Sequence, residues 1–174
     1  SSAMWEDSPS AEGWGLYAEA LMAEPQPGAP NGFYTPEEHL YALQGELLRD
    51  LRVQIDTGLH LGRLSYDQAT SLFSETVDFL PGLCDAAGRA TSDAKRASCD
   101  SAERAIFRYS KWPTQAIAYR LGKDQIYALR KEAQEKLGSA FSAKAFHLAF
   151  IRQGTVPSGY FKRALMDELA PGKK

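Results

Sequence analysis

The sequence has no run of about 18 apolar residues, the length a helix needs to cross a membrane, so no membrane span is expected. Strand signals are nearly absent, since no segment alternates apolar and polar residues with β-branched enrichment. Walker, G-x-G-x-x-G, G-x-S-x-G and H-E-x-x-H motifs are all missing, so a complete catalytic set of those kinds is not contained in this chain. There is no basic block and no Arg/Lys stripe broken by aromatics. With a formal net charge of −2, nothing argues for nucleic acid or anionic lipid as a partner. The first residues, Ser1-Ser2-Ala3-Met4-Trp5-Glu6-Asp7, lack the basic region and apolar core of a signal peptide. If the protein is exported, its signal is expected upstream of them.

Cysteine is scarce. Cys84 and Cys99 flank a polar loop over 81–100, rich in Ala, Ser, Gly and Thr. The pair reads either as a disulfide or as two free thiols near the ends of neighbouring helices. A disulfide closing a loop of this size contributes about 3 kcal/mol. It would imply an oxidising compartment, periplasmic or secreted. Two cysteines alone do not suit a structural zinc site, which takes four ligands.

What remains is an ordinary globular composition, with 44% hydrophobic and 24% charged residues over 174 positions. No shift in composition marks a second domain, so 1–174 reads as one helical domain or fragment, all-α, with about seven helices. The first should run from a Ser10 cap to just before Pro25. The second has the clearest start: Thr35 caps, Pro36 follows, and Glu38 completes a capping box. Its stripe is Leu40, Leu43, Leu47, Leu51 and Ile55. Gly62 breaks the chain and Ser65, with Gln68, caps a third helix. A short helix is expected from about Ser101 to Tyr109, and a long one from Pro113 to Leu137, closed by Gly138. Ser142 caps the next, and the last follows Pro157. Residues 170–174 read as a flexible tail.

Three clusters could carry chemistry. Glu12 and Glu19 lie seven apart on the first helix, so both project from roughly one face and could serve a metal or share a proton. Acidic residues near a helix amino terminus are also favoured by the dipole alone. Gly13 and Gly15 weaken that helix, which suggests close packing there. Arg52, Asp56 and His60 fall at i, i+4 spacing, so Asp56 can fix the His60 tautomer and Arg52 can pair with Asp56 or clamp a carboxylate. A semi-buried ion-pair row is the plainer alternative. Gln115 and Tyr119, one turn apart near a helix start, could donate to an oxyanion; a buried tyrosine with a satisfied hydroxyl is the alternative. His39 and His147 show no metal-ligand spacing and read as ordinary helix residues.

These clusters, in this order, resemble the motifs of the domain-of-unknown-function 885 family, bacterial proteins similar to zinc metallopeptidases with a helical, carboxypeptidase-Taq-like fold. Glu12-Gly-Trp-Gly-Leu-Tyr-Ala-Glu19 resembles E-G-W-A-L-Y-x-E. Arg52-Val-Gln-Ile-Asp56-Thr-Gly-Leu-His60 resembles R-x-x-x-D-T-G-x-H. Arg108-Tyr109 with Pro113-Thr-Gln115-Ala-Ile-Ala-Tyr119-Arg-Leu-Gly122 is similar to R-Y-x-x-x-P-G-Q-A-x-x-Y-x-x-G. Gly154-Thr-Val-Pro157 matches a G-x-L-P step more weakly. Thr114 stands where the family usually has Gly, and Gly15 where it has Ala.

The resemblance implies a larger zincin-like helical peptidase fold acting on peptide substrates. It makes Glu12 one zinc ligand, with His60 and Tyr119 as oxyanion stabilisers or substrate binders, and Arg52, Asp56, Gln115 and Glu19 in support. The remaining zinc ligands belong to a family H-E-x-x-P-G-H segment that lies before the E-G-W motif. The expected partner is therefore the N-terminal part of the same protein, without which this chain is expected to be inactive. The rival expectation is a non-catalytic helical interaction or structural module of the same fold. On the peptidase expectation, the first helix, with Trp14 and Tyr17, should present an exposed apolar face.

Overall fold

The computed structural model describes residues 7–170. The α-helices are α1 (Ser8–Leu21), α2 (Pro36–His60), α3 (Tyr66–Val77), α4 (Ala86–Arg89), α5 (Asp93–Lys111), α6 (Ala118–Leu137), α7 (Ala143–Arg152) and α8 (Ser158–Leu169), with a 3-10 turn at Gly138–Ala140. Among the described residues there is no strand, only isolated bridges at Gln26–Ala29 and Pro30–Gly32. The all-α expectation holds, and the helix beyond seven is the short α4. It and the start of α5 occupy the segment expected to be a loop. The expected 170–174 tail lies outside the described residues, except Ala170.

Within the described residues the chain divides into two compact units, 22–117 and 7–21 with 118–170. In the latter, α1 packs closely on α6. A Cβ added at Gly122 would come within 1.9 Å of the Pro9 carbonyl oxygen, and one at Gly13 within 2.4 Å of Gly122 backbone. Only hydrogen at both positions lets the helices approach this closely. The packing inferred at Gly13 is therefore present, whereas a Cβ at Gly15 would meet open space. The core joins Tyr17, Ile126, Leu129, Phe146, Phe150 and Leu165. This overturns the exposed face expected on α1: Tyr17 has 0% exposure, and half-buried Trp14 stacks on Phe150 with 5.4 Å between ring centroids. Helix α1 starts earlier than Ser10 because Asp7 caps it, accepting from the Ser10 N–H at 2.8 Å.

The unit over 22–117 is built on α2, α3 and α5. Both expected capping boxes are present, at Thr35/Glu38 and Ser65/Gln68. Leu51, Ile55, Phe73, Ile106 and Tyr109 form its core. Each aliphatic or phenylalanine side chain buried there contributes about 1.5–3 kcal/mol. The expected α2 stripe is buried only in its second half: Leu40 and Leu43 are exposed, whereas Leu51 and Ile55 are buried. Helix α5 begins at Asp93 rather than near Ser101, because the Ser92 side chain accepts from the Lys95 N–H at 3.0 Å.

Cys84 and Cys99 are joined as a disulfide, with Cα atoms 5.5 Å apart, as one of the two sequence readings anticipated. It ties the segment after α3 to α5. Buried Lys95 reinforces the tie by donating from Nζ to Ser74 Oγ at 2.9 Å and to the carbonyls of Leu80 at 2.6 Å and Gly82 at 2.9 Å. Those carbonyls lie in the irregular segment after α3, and the ammonium gives them a partner. Among the described residues, no helix is long and apolar enough to cross a membrane.

Candidate active site

Helix α2 continues unbroken to His60, so Arg52, Asp56 and His60 line up one turn apart as their spacing requires. Asp56 is 2% exposed. Its carboxylate accepts the Thr114 backbone N–H, at 3.2 Å to Oδ1 and 3.1 Å to Oδ2. That charge-assisted pair satisfies a buried anion. Thr114 adopts φ 71°, a left-handed conformation that disfavours a β-branched residue. This is the position where the family motif carries glycine.

His60 Nδ1 lies 2.8 Å from the Asp56 backbone carbonyl and 3.5 Å from Asp56 Oδ1. A carbonyl can only accept, so Nδ1 carries the proton and Nε2 is left as the working atom of the ring. The side chain keeps 27% of its surface exposed. One turn earlier, Arg52 Nε donates to the Tyr109 hydroxyl at 2.9 Å. Its guanidinium carbon lies 5.6 Å from the Tyr109 ring centroid, and that of Arg108 lies 5.2 Å from it. Arg52 is thus engaged by Tyr109, and Asp56 by Thr114 and His60, the last as the spacing suggested. Tyr109 went unassigned in the sequence because nothing local links it to a residue 57 positions away.

Gln115 sits on the turn after Thr114, with its N–H donating to the Trp112 carbonyl at 3.3 Å. Helix α6 starts only at Ala118. Gln115 and Tyr119 therefore do not share a helix, contrary to the expected one-turn stacking. The left-handed Thr114 explains the late start, since a right-handed helix cannot pass through it.

In the other unit, Glu12 is half-buried in α1 and Glu19 is exposed. Their seven-residue spacing corresponds to about 10 Å of helix rise. Tyr119 is half-buried in the first turn of α6. A polar cluster that sequence reasoning did not single out surrounds the buried Tyr17 hydroxyl. Arg130 Nη1 donates to it at 3.2 Å, and His147 Nε2 lies 2.8 Å from it. Among the described residues, no three His, Cys, Asp or Glu side chains converge as a metal site. A catalytic zinc is normally held by three protein ligands. Glu12 by itself does not meet that requirement, so these residues do not make a complete zinc site.

A surface pocket of about 410 Å³ lies apart from the Asp56 row, lined by Tyr66, Asp100, Glu103, Arg104 and Phe107. The Tyr66 hydroxyl donates to the Glu103 carbonyl at 2.8 Å. Burial, and after it the negative charges of Glu103 and Asp67, raises the Tyr66 pKa above its ordinary 10.0.

A family model described as "Bacterial protein of unknown function (DUF885)" matches residues 2–165. The chain belongs to the DUF885 family. The match spans all three clusters, from Glu12 through Tyr119. No curated protein and no solved structure matches the chain, so the DUF885 assignment brings a bacterial family without a biochemical activity attached to it.

Proposed function

We propose that this DUF885 chain is the C-terminal portion of a zinc-dependent peptidase, supplying one metal ligand and the groups that bind the peptide and its developing oxyanion. The observation that carries the reading is the Asp56–His60 arrangement. A buried carboxylate and a backbone carbonyl fix the ring through Nδ1, and the side chain keeps 27% of its surface exposed. Such orientation by a second group is how proteins prepare a histidine to donate to an oxyanion or to exchange a proton. The likeness of the three motifs to those of zinc-peptidase-like proteins supports the same reading.

In this proposal Glu12 is the ligand, and the remaining ligands come from the N-terminal part of the same protein. Zinc, when bound, would activate water and polarise the scissile carbonyl. In its doubly protonated form His60 would donate from Nε2 to the oxyanion, with Asp56 beside Nδ1 stabilising the charged ring. Tyr119 has the role of oxyanion stabiliser or substrate binder, with Glu19 and Gln115 in support. Arg52, held at Nε by the Tyr109 hydroxyl, supports substrate binding in this proposal. Without its partner segment this chain is inactive. The Cys84–Cys99 disulfide supports an oxidising compartment, periplasmic or secreted.

The second reading, a non-catalytic helical module, draws on the incomplete ligand set among the described residues. Hydrolysis of a mixed peptide library by the full-length, zinc-loaded protein separates the two. The peptidase reading expects turnover, and expects His60→Ala to lower kcat about 10²–10³-fold with little change in KM. Absence of turnover in the loaded protein, or full activity in His60→Ala, would overturn it.

A further inference from the structure

Within the unit over 22–117, residues 22–48 carry Glu24, Glu37, Glu38 and Glu46 and no Lys or Arg. The amino-terminal turns of α2 close that acidic stretch. Helix α3 accompanies α2 only as far as Gln44, whose Nε2 donates to the carbonyl of Val77 at 3.2 Å, and Val77 is the last residue of α3. The turns before Gln44 therefore project roughly 12 Å past the end of their neighbour.

These projecting turns are apolar as well as acidic. Leu40, Tyr41 and Leu43 are 68%, 77% and 50% exposed, and Phe33, just before the helix, is 54% exposed. Farther along the same helix the apolar residues Leu51 and Ile55 are buried in the core. A stripe that forms core at one end is thus bare at the other, and contiguous exposed apolar surface of this kind marks an interaction site. Glu37 and Glu38 stand in the first turn. Arg49, the first cation of the chain, is turned back on its own helix, with Nη1 donating to the Gly45 carbonyl at 2.8 Å.

We propose that the exposed amino-terminal face of α2 docks an amphipathic helix whose aliphatic stripe is flanked by Lys or Arg. The stripe matches Leu40 and Leu43, with Tyr41 at its edge, in the manner of helix-on-helix recognition. The basic flanks answer Glu37 and Glu38, as charged positions beside a packed seam select their partner. A second copy of this chain is the wrong occupant, because pairing two such faces sets acidic turns against each other.

The test uses the whole chain and a fluorescein-labelled peptide of about three heptads, with Leu at the seam and Lys elsewhere. Two control peptides accompany it, one with Glu in place of Lys and one of the same Lys content with the Leu positions scrambled. Anisotropy should show saturable binding of the Leu/Lys peptide and at least tenfold weaker binding of both controls. Leu40→Ser with Leu43→Ser should weaken the Leu/Lys peptide at least tenfold, and Tyr41→Ser should also weaken it. Leu148→Ser with Ile151→Ser, at exposed apolar positions of α7, should leave binding unchanged. Because all these side chains are exposed, circular dichroism should report unaltered folding. The proposal is overturned by no binding of the Leu/Lys peptide, by equal binding of either control peptide, or by undiminished binding to the Leu40/Leu43 variant. It is equally overturned if sedimentation shows a dimer of the wild-type chain that this variant abolishes.

Discussion

Replacing Thr114 by glycine should stabilise the protein. Thr114 sits at φ 71° with its side chain exposed. Among the described residues no hydrogen bond from its hydroxyl compensates for the conformation. A residue with a Cβ in the left-handed region is strained by about 1–2 kcal/mol. Glycine removes that strain, and its greater freedom in the unfolded chain takes back about 0.5–1 kcal/mol. The Asp56–Thr114 bond survives because its donor is the backbone N–H. The net gain should be about 0.5–1 kcal/mol, a rise in Tm of roughly 1–4 °C for a chain of this size. Thr114→Ala keeps a Cβ and should stay within about 0.5 kcal/mol of the wild type. Urea titrations followed by circular dichroism, run on the three proteins together, measure this directly. If Thr114→Gly is less stable than the wild type, the turn is not strained and the explanation for the late start of α6 fails.

Gly122→Ala should destabilise by about 2–4 kcal/mol, because the new methyl meets the Pro9 carbonyl; an unchanged thermal midpoint would contradict the α1–α6 contact. Reduction of Cys84–Cys99 should lower stability by about 3 kcal/mol, measured as a shift in urea midpoint with and without reductant. No shift would mean that Lys95 and its carbonyl partners suffice to hold the segment. Tyr66 should ionise above its ordinary 10.0, since its folded pKa is raised. The associated stability is fully present below pH 10.0, its ordinary pKa, and is lost as the pH rises through the higher folded value. Absorbance titration of wild type and Tyr66→Phe checks this, and loss of a tyrosine that titrates at or below 10.0 would refute it.

The parts of the fold written in local chemistry were legible in the sequence. Capping boxes at Thr35/Glu38 and Ser65/Gln68 announce helix starts because each motif satisfies its own backbone donors. The i, i+4 row from Arg52 to His60 was legible for the same reason. The remainder depends on distant partners. Thr114 leaves the helical region although Pro113 suggests a helix start, and it is held by Asp56, 58 residues earlier. Arg52 donates to Tyr109, 57 residues later. Polar composition around 92–100 disguised the start of α5, because Lys95 is buried with three oxygen partners rather than solvated. Periodicity identified the stripe on α2, but the length of α3 decides how much of it is covered.

The central claim is that Glu12 completes a zinc site in the assembled protein. The most direct measurement is metal content per molecule, by native mass spectrometry together with elemental analysis, on the protein purified from its bacterial source and on a Glu12→Gln variant. The account predicts one zinc in the wild type, its loss or at least tenfold weaker retention in Glu12→Gln, and the same disulfide mass in both. A wild type that binds no zinc when supplied with it, or a Glu12→Gln variant that holds zinc as tightly as the wild type, would contradict it.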